Sequence, residues 1–279
     1  MRLLVTGSRG QLGRALQRAA AAAGHEFVGC DLPELDITDA AAVRTAVARS
    51  RPDAVINCAA YTAVDAAESD EARALAVNGA AVASLAAAAD GAGARLVQIS
   101  TDFVFDGAAA RAYREDDQPR PISAYGRTKL AGERAAALAR RPLIVRTAWL
   151  FGDGANFVGA IRRQLDAGAR ELRVVGDQRG CPTYAADLAE GLLGLLGADA
   201  EGIVHVANAG SATWFEFALE IVRQLGAAAA VVPITTAQAA RPALRPANSV
   251  LDTSRFRAVV GSDLPPWQDA LARWLAGRG

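Results

Sequence analysis

Along the first half of the chain, apolar and mixed stretches alternate in a regular rhythm. Unbroken apolar runs stand at 2–7 (RLLVTG), 26–31 (EFVGCD), 54–60 (AVINCAA), 95–101 (RLVQIST) and 142–149 (PLIVRTAW). Continuous rather than every-other hydrophobicity marks parallel strands covered on both faces. Between the runs lie Ala-rich stretches with helical spacing. One starts near Gly10 and ends at Gly24, with Leu12, Leu16 and Ala19 or Ala20 on one face. Others span 39–50, 68–91 and 123–140. Strand and helix in this order predict an α/β fold, a doubly wound parallel sheet of the Rossmann type.

After residue 150 the rhythm changes. Helical stretches at 155–168, 184–197, 213–225 and 267–276 are separated by loops and brief strand runs, RVVG, GIVHVAN and AVVPI. The stretch RPALRP at 241–246 must be extended or turning. These features predict a Rossmann domain over 1–150 and a smaller, interleaved C-terminal substrate lobe over 151–279. A segment near 202–208 is expected to return to the large sheet.

Composition narrows the function classes. The chain is 52% hydrophobic and 22% charged, with zero formal net charge, so it reads as an ordinary globular protein without the basic patch of a nucleic-acid binder. Cys30, Cys58 and Cys181 are far apart, without metal-ligand spacing, and read as reduced thiols. His25 and His205 stand alone. No run of 18 unbroken apolar residues and no basic-then-apolar leader is seen, so the expectation is a cytoplasmic protein with neither membrane nor nucleic-acid partners.

The first strand runs into GSRGQLG, with Gly7, Gly10 and Gly13 before a helix. Such a turn lets a pyrophosphate approach the backbone and sit on the free N–H groups of the helix N-terminus. Asp31 ends the second strand, where a carboxylate takes the adenosine ribose hydroxyls and disfavours a 2′-phosphate. Arg9, inside the loop, argues the other way, so both NADPH and NADH stay open. Asp36 and Ile37 follow in LDITD, able to reach the adenine edge, with Thr38 or Asp39 as the alternative role of a helix N-cap.

Candidate chemistry gathers later. Thr101 closes the fourth strand, at the sheet edge where ligands of such folds bind. Tyr125 and Lys129 follow one helical turn apart. Lys129 is the only lysine; all other members of the 30-strong Lys+Arg set are arginine. A phenol is a poor acid–base group at neutral pH, and a compact ammonium beside it would lower its pKa. Arginine is bulkier and cannot release a proton.

The runs GSRGQLG, NCAAYTAVDAAES (57–69), STDFVFDG (100–107), YGRTKLAGE (125–133), RTAWLFG (146–152), GDQRGCPTYAADLA (176–189) and RPANSVLDTSRF (245–256) span most of the chain. Together they resemble the dTDP-4-dehydrorhamnose reductases, extended short-chain dehydrogenases/reductases. The resemblance implies reduction of the C4 ketone of dTDP-4-dehydro-β-L-rhamnose by NADPH or NADH. It implies cofactor contacts from Gly10, Gln11, Leu12, Asp31, Asp36, Ile37, Ala60, Tyr61 and Thr62. Tyr125 and Lys129 would be the catalytic pair, with Thr101 on the reacting oxygen. Asp102 and Trp149 would line the sugar site. Arg245 and Asn248 are further substrate candidates, through a diphosphate that suits arginine. Some members of the family are Mg²⁺-bridged dimers that use glutamates. Here the first helix carries Arg14 and Ala15 and no acid, which argues against the metal and for a monomer. Phe103 replaces a common tyrosine. Alternatives are a ketoreductase for another nucleotide-activated deoxysugar, or a non-catalytic regulatory relative of the same fold.

Overall fold

The computed structural model describes residues 1–277; positions 278–279 of the predicted second lobe lie outside that range. The strands of the first half are β1 (Arg2–Thr6), β2 (Glu26–Cys30), β3 (Ala54–Asn57), β4 (Arg95–Thr101) and β5 (Pro142–Thr147). With Gly202–His205 they form one six-stranded sheet, ordered Gly202–His205, β5, β4, β3, β1, β2. Every pairing within it is parallel. The chain starts one strand in from the edge, runs outward to β2, then crosses back past β1 to β3, which creates a switch point at the carboxyl ends of β1 and β3.

Successive side chains of a strand point to opposite faces, and both faces here are covered. Leu3 and Val5 pack with Leu12 and Leu16 of α1 (Gln11–Ala22) and with the helix Ala185–Gly197. Leu4 packs the other way, against α2 (Ala40–Ser50) and α5 (Ala81–Gly91). This is why the apolar runs are continuous. Burying each such Leu or Val is worth about 1.5–3 kcal/mol.

The expected helix over 68–91 is continuous over Glu71–Gly91, as α4 (Glu71–Leu75), a π-helical turn over Ala76–Ala80, and α5; a separate short α3 (Val64–Ala67) precedes it. The π turn carries Asn78, whose side chain holds the backbone of Tyr61 from both sides: Oδ1 accepts from its N–H at 2.8 Å and Nδ2 donates to its carbonyl at 3.0 Å. Tertiary hydrogen bonding overrides the local α preference here. The stretch Glu71–Gly91 is 21 residues long with mean hydropathy 1.4, enough to cross a membrane by length and composition. Val82, Leu85 and Ala89 are fully buried on the sheet, so it is a core helix. Next comes α6 (Ala124–Ala136), whose N-cap Ser123 accepts from the Gly126 N–H.

The second half does not divide cleanly at residue 150. The helix Ala185–Gly197 and Phe256 of the helix Ser254–Val260 belong to the core of the large sheet, beside the returning strand Gly202–His205. The remainder builds its own core from Phe151, Ile161, Leu172, Phe217, Ile221 and Trp274 around the parallel pair Glu171–Val175 and Ala230–Ile234.

Candidate active site

A cavity of about 910 Å³ opens at the carboxyl ends of the large sheet's strands. Its first wall is the glycine loop. Gly7 has φ +65°, and a Cβ there would lie 2.6 Å from the Ala59 nitrogen. A Cβ on Gly13 would lie 2.5 Å from the Gly7 carbonyl oxygen. Both positions therefore demand glycine. Helix α1 begins at N-cap Gly10 with no side-chain cap, leaving its first-turn N–H groups toward the cavity for an anion. Gln11 and Leu12 line the same wall. The Gln11 Oε1 is buried without a partner. Loop, uncapped helix and cavity size fit a dinucleotide.

Where β2 ends, Asp31 accepts from the backbone N–H groups of Arg9 and Leu32, both at 2.8 Å. Asp36 also lines the cavity, but its Oδ1 accepts from the N–H and hydroxyl of Thr38. It organises the loop that seats Ile37, and Asp39, not Thr38, caps α2. Ala60 and Thr62 line the cavity. Tyr61 is not among the lining residues and packs with Ala67, Ala74, Ala124 and Tyr125 behind the wall.

The reaction end lies where β4 stops. Thr101, Asp102, Tyr125 and Lys129 all line the cavity. Lys129 is 4% exposed, and its Nζ donates to the Ile99 carbonyl at 2.6 Å. Burial, opposed by the charges of Glu133 and Cys58, brings its pKa down to about 8. The phenol of Tyr125 moves the other way: burial first and the Asp102 carboxylate second push it above its ordinary value, while the Thr101 hydroxyl pulls it down. Burial dominates this shift, and the charge of Lys129 is not among its causes. The phenol is thus a protonated donor at neutral pH. Phe103 stands edge-on to it, ring centres 5.7 Å apart.

Thr101 donates its one hydroxyl proton to Asp102 Oδ1 at 2.9 Å and accepts from the Phe103 N–H. It reaches a substrate oxygen as a donor only by rotating that bond away. Asp102 is 2% exposed, and its Oδ2 has no hydrogen-bond partner. Burial pushes its carboxyl up to about 6, against the pull of Ser249 and Thr101. A folded value above the unfolded one means that stability is lost as pH rises from about 4 through 6. That difference is worth about 3 kcal/mol above pH 6. Asp102→Asn keeps the acceptor for Thr101, so it should be more stable than the parent at pH 7 by up to about that amount. Urea titrations at pH 7 and pH 4 check this; an equal gain at both would show that charge is not the cause.

Behind Lys129 lies a buried polar layer that sequence reasoning missed. Glu133, one turn after Lys129, accepts from Ser100 Oγ at 2.5 Å and from Arg146 in bidentate fashion at 2.8 and 2.7 Å. Arg146 is 1% exposed and lies over the Phe105 ring. Its NH1 stands 3.4 Å from His205 Nε2. Burial and then the Arg146 charge hold that imidazole down to about 3, so it is neutral. The available signal was two charged residues inside otherwise apolar runs, Arg146 in PLIVRTAW and Glu133 in the helix of Lys129.

A second cavity, about 930 Å³, lies against the smaller lobe and shares Phe103, Trp149, Trp214 and Arg245 with the first. Trp149, at φ +46°, stacks on Trp214 with ring centres 3.5 Å apart and planes 5° from parallel. The pair stands between the two cavities. Arg245 also stands there, but its guanidinium is held by Asp65 of the first lobe through two contacts of 3.0 Å. Asn248 is not brought to either cavity. Its Nδ2 donates to the carbonyls of Ala109 and Arg111 and its Oδ1 accepts from Val250, so the amide is used in joining two loops.

Known proteins can be set against this geometry. The family model described as the RmlD substrate binding domain matches residues 1–278. The chain belongs to that family. It is 48% identical to a dTDP-4-dehydrorhamnose reductase of Streptomyces griseus, over 97% of this chain and 91% of the relative. It is 45% identical to a probable dTDP-4,6-dihydroxy-2-methyloxan-3-one 4-ketoreductase of Streptomyces antibioticus, over 97% and 93%. A crystal structure of dTDP-4-dehydrorhamnose reductase from Bacillus anthracis in complex with NADP superposes with a TM-score of 0.95 at 37% identity, covering 99% of each chain.

Among the described residues no group of three His, Cys, Asp or Glu is placed to hold an ion, and α1 has no acid in its first turn. No step below runs through a metal.

Proposed function

We propose that the protein reduces the C4 ketone of dTDP-4-dehydro-β-L-rhamnose to give dTDP-L-rhamnose, with NADPH or NADH as reductant. The observation that carries this reading is the meeting of Tyr125, Thr101 and Lys129 in one cavity with the glycine loop. A bound reduced nicotinamide supplies hydride to the carbonyl carbon. The chain's own part is to orient the partners and to neutralise the charge that develops on oxygen. Tyr125, kept protonated by burial and by Asp102, gives its phenolic proton to the C4 oxygen. Lys129 has donors left beyond the Ile99 carbonyl, for the cofactor ribose and the phenolate left behind. Asp102, in the first cavity, and the Trp149–Trp214 stack at the cavity junction face the sugar. Asp65 orients Arg245 there for the substrate diphosphate.

The cavity closes with side chains of both lobes from one chain, which supports a monomer as the working unit. Three unpaired cysteines suit a reducing cytoplasm. A second reading is reduction of another dTDP-linked keto-deoxysugar, favoured by the 45% likeness to a 4-ketoreductase with a different named substrate. Absorbance at 340 nm with each dinucleotide and with dTDP-4-dehydrorhamnose formed in situ decides between them. Rapid oxidation with dTDP-rhamnose as product is expected. Dinucleotide binding without turnover would move the reading to the other sugar.

A further inference from the structure

Charges of both signs crowd the adenosine end of the cavity. Both oxygens of Asp31 accept main-chain N–H groups, so this carboxylate is pinned in place. It keeps lone pairs for ribose hydroxyls. The Arg9 guanidinium folds back over the same loop. Its NH1 donates to the Leu32 carbonyl at 2.8 Å, and its NH2 pairs with Glu34 at 2.5 Å. Both side chains of that pair are more than half exposed, at 57% and 58%. Outside the glycine loop lies a recess of about 550 Å³ lined by Ser8, Arg9, Arg14, Arg18, Phe27 and Gly29. It shares Arg9 and Arg14 with the cavity. Arg18 is already engaged by Asp153 at 2.9 Å.

We infer that Glu34 is a specificity-determining residue, which discriminates against the 2′-phosphate of NADPH by competing with it for Arg9. The inference rests on the dinucleotide reading given above. An adenosine 2′-phosphate would enter between a fixed Asp31 and the arginine-lined recess. Arg9, carried by the loop whose N–H binds Asp31, is the cation placed to receive it, in a fork geometry suited to phosphate. Glu34 occupies one arm of that fork, and the Leu32 carbonyl the other. An exposed ion pair is weak and opens at small cost, so the competition is partial and NADPH is not excluded. A 2′-hydroxyl needs Asp31 and asks nothing of Arg9, so Glu34 is neutral toward NADH.

The test is calorimetric titration of the full chain with NADPH, NADH, 2′,5′-ADP and 5′-ADP. Parent, Glu34→Gln, Arg9→Ala and the double variant are compared. Glu34→Gln should tighten NADPH and 2′,5′-ADP by about three- to tenfold, the size of an exposed pair plus one removed repulsion. NADH and 5′-ADP should be unchanged. In the Arg9→Ala background the gain should vanish. Equal effects on phosphorylated and unphosphorylated ligands, no effect at all, or a gain that survives without Arg9 would each overturn the role of Glu34. If the parent bound none of the four, the dinucleotide reading itself would fall, and this inference with it.

Discussion

Tyr125→Phe is expected to lower kcat for keto-sugar reduction by about 10²- to 10⁴-fold, the usual contribution of a positioned general acid. The dinucleotide Kd should hardly move. The substitution removes one hydroxyl, while the ring keeps its edge-on packing against Phe103. The loss should fall on kcat and on kcat/KM alike, because the proton is needed only as charge develops on the C4 oxygen. The raised pKa of the phenol sets the pH behaviour: the donor stays protonated across the neutral range, so Tyr125 itself should impose no loss of rate below pH 8. Single-turnover oxidation of NADPH with dinucleotide titrations alongside measures both quantities. Near-parental turnover would remove Tyr125 from the proton step and leave Thr101 or solvent as donor.

The second large effect lies behind the site. Glu133→Gln leaves the Arg146 cation buried without its carboxylate, and breaking such a pair costs about 3–5 kcal/mol. Against the 5–15 kcal/mol that typically holds a domain, roughly, this is severe. Urea unfolding should show the midpoint drop. Replacing both partners by methionine should recover most of the loss, since two apolar groups need no counter-charge. A double variant as unstable as the single one would show that the pair's own attraction, rather than the orphaned guanidinium, carries the stability. The same change acts on the chemistry. Glu133 raises the Lys129 pKa against burial, so its removal should bring that value below about 8. The alkaline limb of the pH–rate profile should shift toward neutral pH, which simple unfolding would not produce.

Much of this arrangement was legible along the chain. Continuous apolar runs separated by helical stretches determine a parallel sheet with two covered faces, and Leu3, Leu4 and Val5 divide between those faces accordingly. Glycines at 7, 10 and 13 determine a loop that leaves room for phosphate. Tyr125 and Lys129 share a helix face by spacing alone, and the solitary lysine marks its own position.

Tertiary structure decided what depends on partners distant in sequence. Asn78 turned a helical stretch into a π turn because its amide serves the Tyr61 backbone, 17 residues away. Asn248 was drawn to the carbonyls of Ala109 and Arg111 and not to a ligand. Arg245 gained Asp65, 180 residues away, and with it an orientation. The pKa of Tyr125 is raised by burial and not lowered, for the same reason. Spacing shows which groups are near, but the depth of burial, which sets the cost of a charge, belongs to the packed whole. The sequence by itself determined the sheet, the glycine loop and the placement of Tyr125 and Lys129 on one helix face, because those rest on local period and steric size. Burial, pairing across the lobes and the pKa values at the site were decided only once the chain had closed around them.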